Sequence, residues 1–378
     1  MRILMLNYEF PPIGGGGGVI SKEIALGLSG LGHQITIVTT WFKGLKEEER
    51  FTENLLVLRI KALRKKSFQS NPLEMADWII KTKRFTNLLL QNQSFDLCFA
   101  NFVMPGGEVA LFLKKKFNLP FVVISHGHDI PWVNARSQWP LYLAAFSKIK
   151  KVLNSAEIIF IQTKEMEKNL IDFHQRVKEK VRIIPNGFSE NATFNNYKPE
   201  FTVIAIGRLV GQKDPETYVK GFLLFNKEFP NSKLKIFGDG PKRKQLETMV
   251  FGEEASAKVS FQGKTSQAEV IEAMQEASVF LSTSLNEGMS LAMLEAAASG
   301  LALICTKVSG ANKIVKPFNG ILIDFKSPEQ VKNALIGFYE KWQNNIPLIE
   351  GKKTQELLEQ FNWKVISNQY HITLTKLS

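Results

Sequence analysis

The sequence is poor in cysteine. Two occur in 378 residues, and each sits in an apolar run, Cys98 in Asp-Leu-Cys-Phe-Ala and Cys305 in Leu-Ala-Leu-Ile-Cys. That excludes a disulfide framework and points to buried, reduced thiols in a reducing, cytoplasmic setting. No uninterrupted apolar run approaches the ~20 residues needed to span a bilayer. The opening Met-Arg-Ile-Leu-Met-Leu is interrupted at once by Asn7, Glu9 and Pro11, so it lacks the apolar core of a signal peptide. Asp-x-Asp, an acidic pair suited to clamping a metal ion, is absent as well.

What is present is the composition of a folded protein, 44% hydrophobic and 22% charged. The length exceeds one ordinary core and favours two domains. The net charge of +12 is unevenly spread. Residues 1–189 hold 26 Lys/Arg against 16 Asp/Glu, a net of +10, and residues 190–378 hold 22 against 20, a net of +2. A basic first half suits an anionic partner, and a merely solvated basic face is the alternative. Nucleic acid is not expected as that partner, because aromatic residues are not interleaved with the cations at base-stacking spacing.

Short apolar runs alternate with longer helical patterns, the rhythm of βα units in parallel sheets. Strands are predicted at Arg2–Leu6, Gln34–Thr39, Leu55–Ile60, Leu97–Asn101, Phe121–Ser125, Ile158–Gln162 and Val181–Ile184. The pattern then restarts at Thr202–Ile206, Lys233–Phe237, Val259–Gln262, Val279–Ser282, Ala302–Thr306 and Gly320–Ile323. Between the passes, Pro185–Pro199 has no periodicity and reads as a linker. The prediction is therefore an α/β protein of two Rossmann-like, doubly wound domains, 1–187 and 188–361. A C-terminal amphipathic helix carries Trp363, Ile366, Tyr370 and Leu374.

In the first βα turn, Pro11-Pro12-Ile13 precedes five glycines, Gly14 to Gly18, and a helix is expected from Ile20. Glycine lets backbone N–H groups approach a ligand closely, and the helix start favours negative charge. A dinucleotide fingerprint fails here. Gly-x-Gly-x-x-Gly would need glycine at Val19 or Ile20, and the second strand ends Thr39-Thr40-Trp41 with no acid. A second cationic βα loop, Gly207-Arg208-Leu-Val-Gly-Gln-Lys213, places Arg208 and Lys213 where both can neutralise a diphosphate. In Glu287-Gly-Met-Ser-Leu-Ala-Met-Leu-Glu295, Ser290 reads as an N-cap and Gly300 as the helix stop, with Glu287 just before the helix and Glu295 inside it. Free N–H groups at Met289, Ser290 and Leu291 suit phosphate oxygens, and Glu295 suits the two hydroxyls of a ribose. Periodicity alone would also fit an ordinary alanine-rich helix. His126, His128 and Asp129 have neither metal-ligand spacing nor a supporting third cluster, and a site histidine is the reading preferred over a metal site.

Together, Gly-Arg208-Leu-(x)3-Lys213, the Phe-Gly238-Asp-Gly-Pro turn, the Glu287/Glu295 pair and Ile-Pro185-Asn-Gly resemble family 4 of the retaining glycosyltransferases, and the match runs nearly the whole chain in order. The resemblance implies the GT-B fold, with two Rossmann-like domains facing across a central cleft and the C-terminal helix, 362–378, packing back on the first. It implies an NDP-sugar donor, a UDP- or GDP-sugar. Arg208, Lys213, Gly16, Gly17, Ser290 and Leu291 would hold its diphosphate and Glu295 its ribose. Gly288 and Met289 would lie against its sugar, and Gly238, Gly263 and Lys264 near its base. Glu287 and His126 would be the catalytic residues. No metal and no separate cofactor are expected. Two departures stand out: Met289-Ser290 replaces a commoner Phe-Gly, and Val308-Ser-Gly310-Ala-Asn312-Lys313 lacks a frequent glutamate, both bearing on donor specificity.

The acceptor is expected to be a glycan or lipid-linked molecule of cell-surface polysaccharide or lipopolysaccharide synthesis. The cations of Arg59–Lys66 and a helical pattern over Leu73–Leu90 suit peripheral docking on an anionic inner membrane surface. Packing of that helix's stripe, Met75, Trp78, Ile79, Phe85 and Leu89, into the core is the rival. The competing functions are a sugar-nucleotide 2-epimerase of the same fold and a non-catalytic carbohydrate-binding or anionic-ligand-binding protein.

Overall fold

The computed structural model describes residues 1–67, 70–127, 129–130, 139–189 and 198–377. His128 and residues 190–197 of the expected linker lie outside the described residues. The chain divides into two compact units, Met1–Asn186 with Trp363–Ser378, and Gly187–Asn362.

The first unit is an eight-stranded sheet in the order β3-β4-β2-β1-β5-β6-β7-β8. Its strands are β1 (Arg2–Leu6), β2 (Gln34–Thr40), β3 (Glu48–Thr52), β4 (Leu55–Ile60), β5 (Leu97–Asn101), β6 (Phe121–Ile124), β7 (Ile159–Ile161) and β8 (Val181–Ile183). All pairings are parallel except that of β3 with β4. The central strands are covered on both faces, so continuous apolar runs such as Ile3–Leu6 and Leu97–Ala100 are fully buried. The edge strand β3, Glu-Glu-Arg-Phe-Thr, escapes an apolar-run search because it is half exposed, and charge suits an unpaired edge.

Its helices are α1 (Gly16–Gly30), α2 (Pro72–Asn92), α3 (Gly107–Phe117), α4 (Trp139–Ser155) and α5 (Lys164–Phe173). Helix α1 begins at Gly16, four residues earlier than expected, with Gly15 as its N-cap. Tertiary anchoring overrides the poor helix propensity of glycine here. The Ser21 hydroxyl donates to Gly17 O and to the buried Asn101 side chain. Helix α2 settles the alternatives left open for its stripe. Trp78 is fully buried, and Met75, Ile79, Phe85 and Leu89 pack against the same core. The stripe named for membrane contact is therefore core. In the cationic segment before it, the Arg59 and Arg64 side chains are buried, facing Glu49 and Glu9.

The second unit is a six-stranded parallel sheet in the order β11-β10-β9-β12-β13-β14. Its strands are β9 (Thr202–Ile206), β10 (Lys233–Phe237), β11 (Val259–Gly263), β12 (Val279–Ser282), β13 (Ala302–Thr306) and β14 (Gly320–Ile323). The helices α6 (Pro215–Glu228), α7 (Arg243–Val250), α8 (Gln267–Glu276), α9 (Leu291–Ala298), α10 (Ala311–Ile314), α11 (Pro328–Gln343) and α12 (Gly351–Leu358) cover both faces over two apolar cores. Cys98 and Cys305 are buried free thiols.

After the second unit the chain re-enters the first through α13 (Trp363–Leu374), which packs on α1. Gly27 makes that approach close, since a Cβ there would lie 1.8 Å from Ser367 Oγ. The two helices' ends meet in a hydrogen bond between His33 Nε2 and His371 Nδ1, 2.8 Å. Burial first, then the chain's amino terminus and His371, push the His33 pKa down to about 4. The unfolded chain, at the ordinary value of about 6.5, binds a proton that the folded chain refuses. Stability is therefore lost as pH falls from about 6.5 toward about 4. The melting temperature of His33→Gln should fall less steeply than wild type over that window, as followed by circular dichroism.

Candidate active site

In open α/β sheets, ligands bind beyond the carboxyl ends of the strands where strand order reverses. In the second unit that point lies between β9 and β12, and the loops after these two strands carry Arg208, Lys213 and Glu287. The loops are laced together. Thr283 Oγ1 donates to Asp214 O at 2.7 Å, Leu285 N to Gln212 O at 2.8 Å, and Gln212 Nε2 to Asn286 O at 2.6 Å. Lys213 Nζ then meets Glu287 Oε1 at 2.5 Å, with both side chains largely buried. Burial would raise the Glu287 carboxyl, but the Lys213 ammonium, helped by the Ser284 and Ser290 hydroxyls, outweighs it and holds the pKa below the ordinary carboxylate range. Its Oε2 is buried without a hydrogen-bond partner. Arg208 is exposed, and among the described residues its guanidinium has no ion-pair or hydrogen-bond partner. One cation is thus committed and one uncommitted.

Helix α9 starts beside Glu287. Ser290 caps it, accepting from Met293 N, so the amides of the first turn point outward with the positive end of the helix. Gly288 and Met289 fill the turn between Glu287 and the cap, and Leu291 opens the helix. Glu295 lies one turn in, where its Oε1 accepts from Gln267 Nε2 of α8 at 3.0 Å. Gly300 ends the helix in the left-handed region, φ +76°.

The loop bearing Arg208 rests on the turn after β10. Gly238 has φ +122°, and a Cβ on it would stand 2.0 Å from Gly207 O. Gly238 N donates to Gly263 O at the end of β11, so Gly238, Gly263 and the exposed Lys264 lie together beside the Arg208 loop.

In the first unit, order reverses between β1 and β5, and the loops there hold the glycines and Phe102. Gly16 and Gly17 form the first turn of α1, which no side chain caps. A Cβ on Gly17 would lie 2.6 Å from the Phe102 ring and 3.4 Å from His126 Cδ2. The Phe102 and His126 rings are 4.7 Å apart. Gly17, Phe102 and His126 are thus one cluster, and Phe102 holds a strained φ of +65°. Asp129 is the anchor behind it, accepting from Ser125 Oγ at 2.7 Å and from Val103 N at 2.6 Å. One oxygen holds the backbone at Val103 and the other the Ser125 hydroxyl.

Sequence reasoning missed Gln212 and Phe102. Gln212 carried no motif, and a left-handed phenylalanine leaves no trace in composition. Asp129 was read only for metal spacing.

Residues 188–355 match the family described as glycosyl transferases group 1, and residues 14–191 match glycosyltransferase family 4. The alpha-monoglucosyldiacylglycerol synthase of Acholeplasma laidlawii is 24% identical over 89% of this chain and 87% of its own. Among solved structures, sucrose-phosphate synthase from Thermosynechococcus elongatus has a TM-score of 0.84 at 17% identity, covering 100% of this chain and 99% of its own. Anabaena HepE, solved with UDP and glucose, has a TM-score of 0.77 at 17% identity over 100% of both chains.

Proposed function

The chain belongs to the glycosyl transferases group 1, with a family 4 N-terminal half, and we propose that it transfers a hexose or N-acetylhexosamine with retention from a UDP- or GDP-sugar to a glycan or lipid-linked acceptor. The observation that carries this reading is the set Arg208, Lys213–Glu287 and the α9 N-terminus gathered at one strand-order reversal.

The reaction breaks the bond between the anomeric carbon and the diphosphate, and negative charge grows on the leaving oxygen. Arg208, Lys213 and the α9 amides supply preorganised positive potential for it, so a divalent metal is dispensable. Glu295 holds the ribose. Glu287, kept ionised by Lys213, stabilises the cationic sugar with its unpartnered oxygen. The acceptor hydroxyl attacks from the face the diphosphate leaves, and a diphosphate oxygen takes its proton. The first unit holds the acceptor, with His126 and the first turn of α1 as the residues assigned to it. The lipid-linked class draws support from the diacylglycerol-named relative. Cell-surface polysaccharide or lipopolysaccharide synthesis at the inner membrane face is the setting.

Retention has a test that needs no acceptor. Proton NMR of slow donor hydrolysis, with α-linked UDP- and GDP-sugars and EDTA present, should show the α-sugar first, before mutarotation. The β-anomer appearing first contradicts retention, and hydrolysis that requires added Mg²⁺ contradicts metal independence.

A further inference from the structure

Phe102 directly follows β5, at the strand-order reversal of the first unit, and its φ is +65°. For a bulky residue that backbone is strained, and it persists only where the surroundings over-determine it. They do so on both sides. The buried Asn101 side chain accepts from Ser21 Oγ at 2.6 Å and donates to Leu6 O at 3.4 Å. On the other side Val103 N donates to Asp129 Oδ2 at 2.6 Å. Gly107 N then closes a wide turn on Phe102 O, five residues back, before α3 begins, an irregularity frequent at functional sites. Gly106 lets that turn close, since a Cβ on it would lie 2.2 Å from Asn101 O.

Full burial does not offset the strain, because the Phe102 side chain is only half-buried. Glycine or asparagine would take the same backbone at little cost. What phenylalanine adds is a ring, 4.7 Å from the His126 ring at a tilt of 59°. Its Cζ lies so close to α1 that a Cβ on Gly17 would stand 2.6 Å away. Asp129 joins the two backbones behind the rings. Besides holding Val103 N it accepts from Ser125 Oγ, which in turn receives Gly127 N at 3.3 Å. The segment bearing His126 is thereby tied to the one bearing Phe102. We propose that Phe102 is a positioning residue, whose ring holds the His126 imidazole against the first turn of α1. This role rests on the reading of His126 as catalytic and adds the group that orients it. An imidazole free to rotate loses the geometry its chemistry needs, and a misplacement of about 1 Å costs about 10²-fold in rate.

The test is nucleotide release from UDP- and GDP-sugars by Phe102→Asn and Phe102→Gly, each alone and combined with His126→Ala. Both replacements accept a left-handed φ, so melting should stay at or above the wild-type temperature. With His126 present, kcat should fall by about tenfold or more while KM for the donor stays within about twofold. With His126 replaced, neither change should lower kcat further, because the two residues act as one unit. A second readout needs no turnover. A nuclear Overhauser contact between the His126 ring and the Gly17 Cα protons, expected in wild type from their proximity, should vanish in both Phe102 variants. Wild-type kcat in the Phe102 variants, a full loss added to that of His126→Ala, or a contact that persists without the ring overturns the proposal. If His126→Ala itself keeps wild-type kcat, the catalytic reading of His126 fails and the positioning role with it. If only the Phe102 variants keep it, that reading stands and the positioning role alone falls.

Discussion

Lys213→Ala is expected to lower nucleotide-sugar turnover by about 10²–10³-fold, the range for removing one preorganised group that stabilises developing charge. It should also destabilise the fold. In wild type, Lys213 is the ion-pair partner of Glu287, and both are mostly buried. Removing one partner of such a pair leaves an uncompensated charge, at a cost of about 3 kcal/mol for a pair not wholly enclosed. The pH dependence carries the signature. With Lys213 present the Glu287 pKa is lowered, so its contribution to stability is present at neutral pH and lost in acid. Without Lys213, burial is opposed only by the Ser284 and Ser290 hydroxyls, and the pKa rises from its lowered wild-type position. The variant's deficit in melting temperature should then shrink as pH falls from 7 toward 4. Lys213→Ala/Glu287→Gln should regain much of the stability and none of the turnover. If the double variant stays as unstable as the single one, the pair is not what holds these loops.

Gly238→Ala should be nearly as damaging for a different reason. A left-handed φ costs a non-glycine residue about 1–3 kcal/mol. Here the added methyl would also stand 2.0 Å from Gly207 O, a backbone atom with no side-chain freedom to yield. Gly207 and Gly238 are joined through Gly207 N donating to Phe237 O, so the shift passes directly into the Arg208 loop. We expect a loss of about 3 kcal/mol or more, the sum of backbone strain and overpacking. UDP affinity should fall with it even where the protein remains folded. Chemical denaturation and UDP titration read the two effects separately. A variant with wild-type stability would show that the Gly207–Gly238 approach is looser than described.

How much of this was legible in the sequence follows from the physics of each element. Strands such as Ile3–Leu6 and Val279–Leu281 are buried on both faces, so each is an unbroken apolar run that composition reveals. Strand β3 is an edge and carries Glu48, Glu49 and Arg50, so it is not. The helix over Leu73–Leu90 was visible but its orientation was not, because it has two apolar rows and periodicity does not say which one the sheet takes. Trp78, by bulk, fills the core, and Leu73, Ile80 and Leu88 face out. The Ser290 cap and the placing of Glu287 and Glu295 around it follow from local chemistry. The Lys213–Glu287 contact spans 74 residues and needed the strand order to bring it about. So did the lacing by Gln212 and the Phe102–His126 contact.

On the proposed reading, the second unit binds a nucleotide-sugar through Arg208, Lys213 and Glu295 without a metal. Nucleotide release by the purified chain in EDTA, across UDP-, GDP- and ADP-sugars, with wild type compared to Glu295→Ala, tests it most directly. The prediction is release from a UDP- or GDP-sugar that the variant loses. Turnover and nucleotide binding absent in wild type, or undiminished in Glu295→Ala, would contradict it.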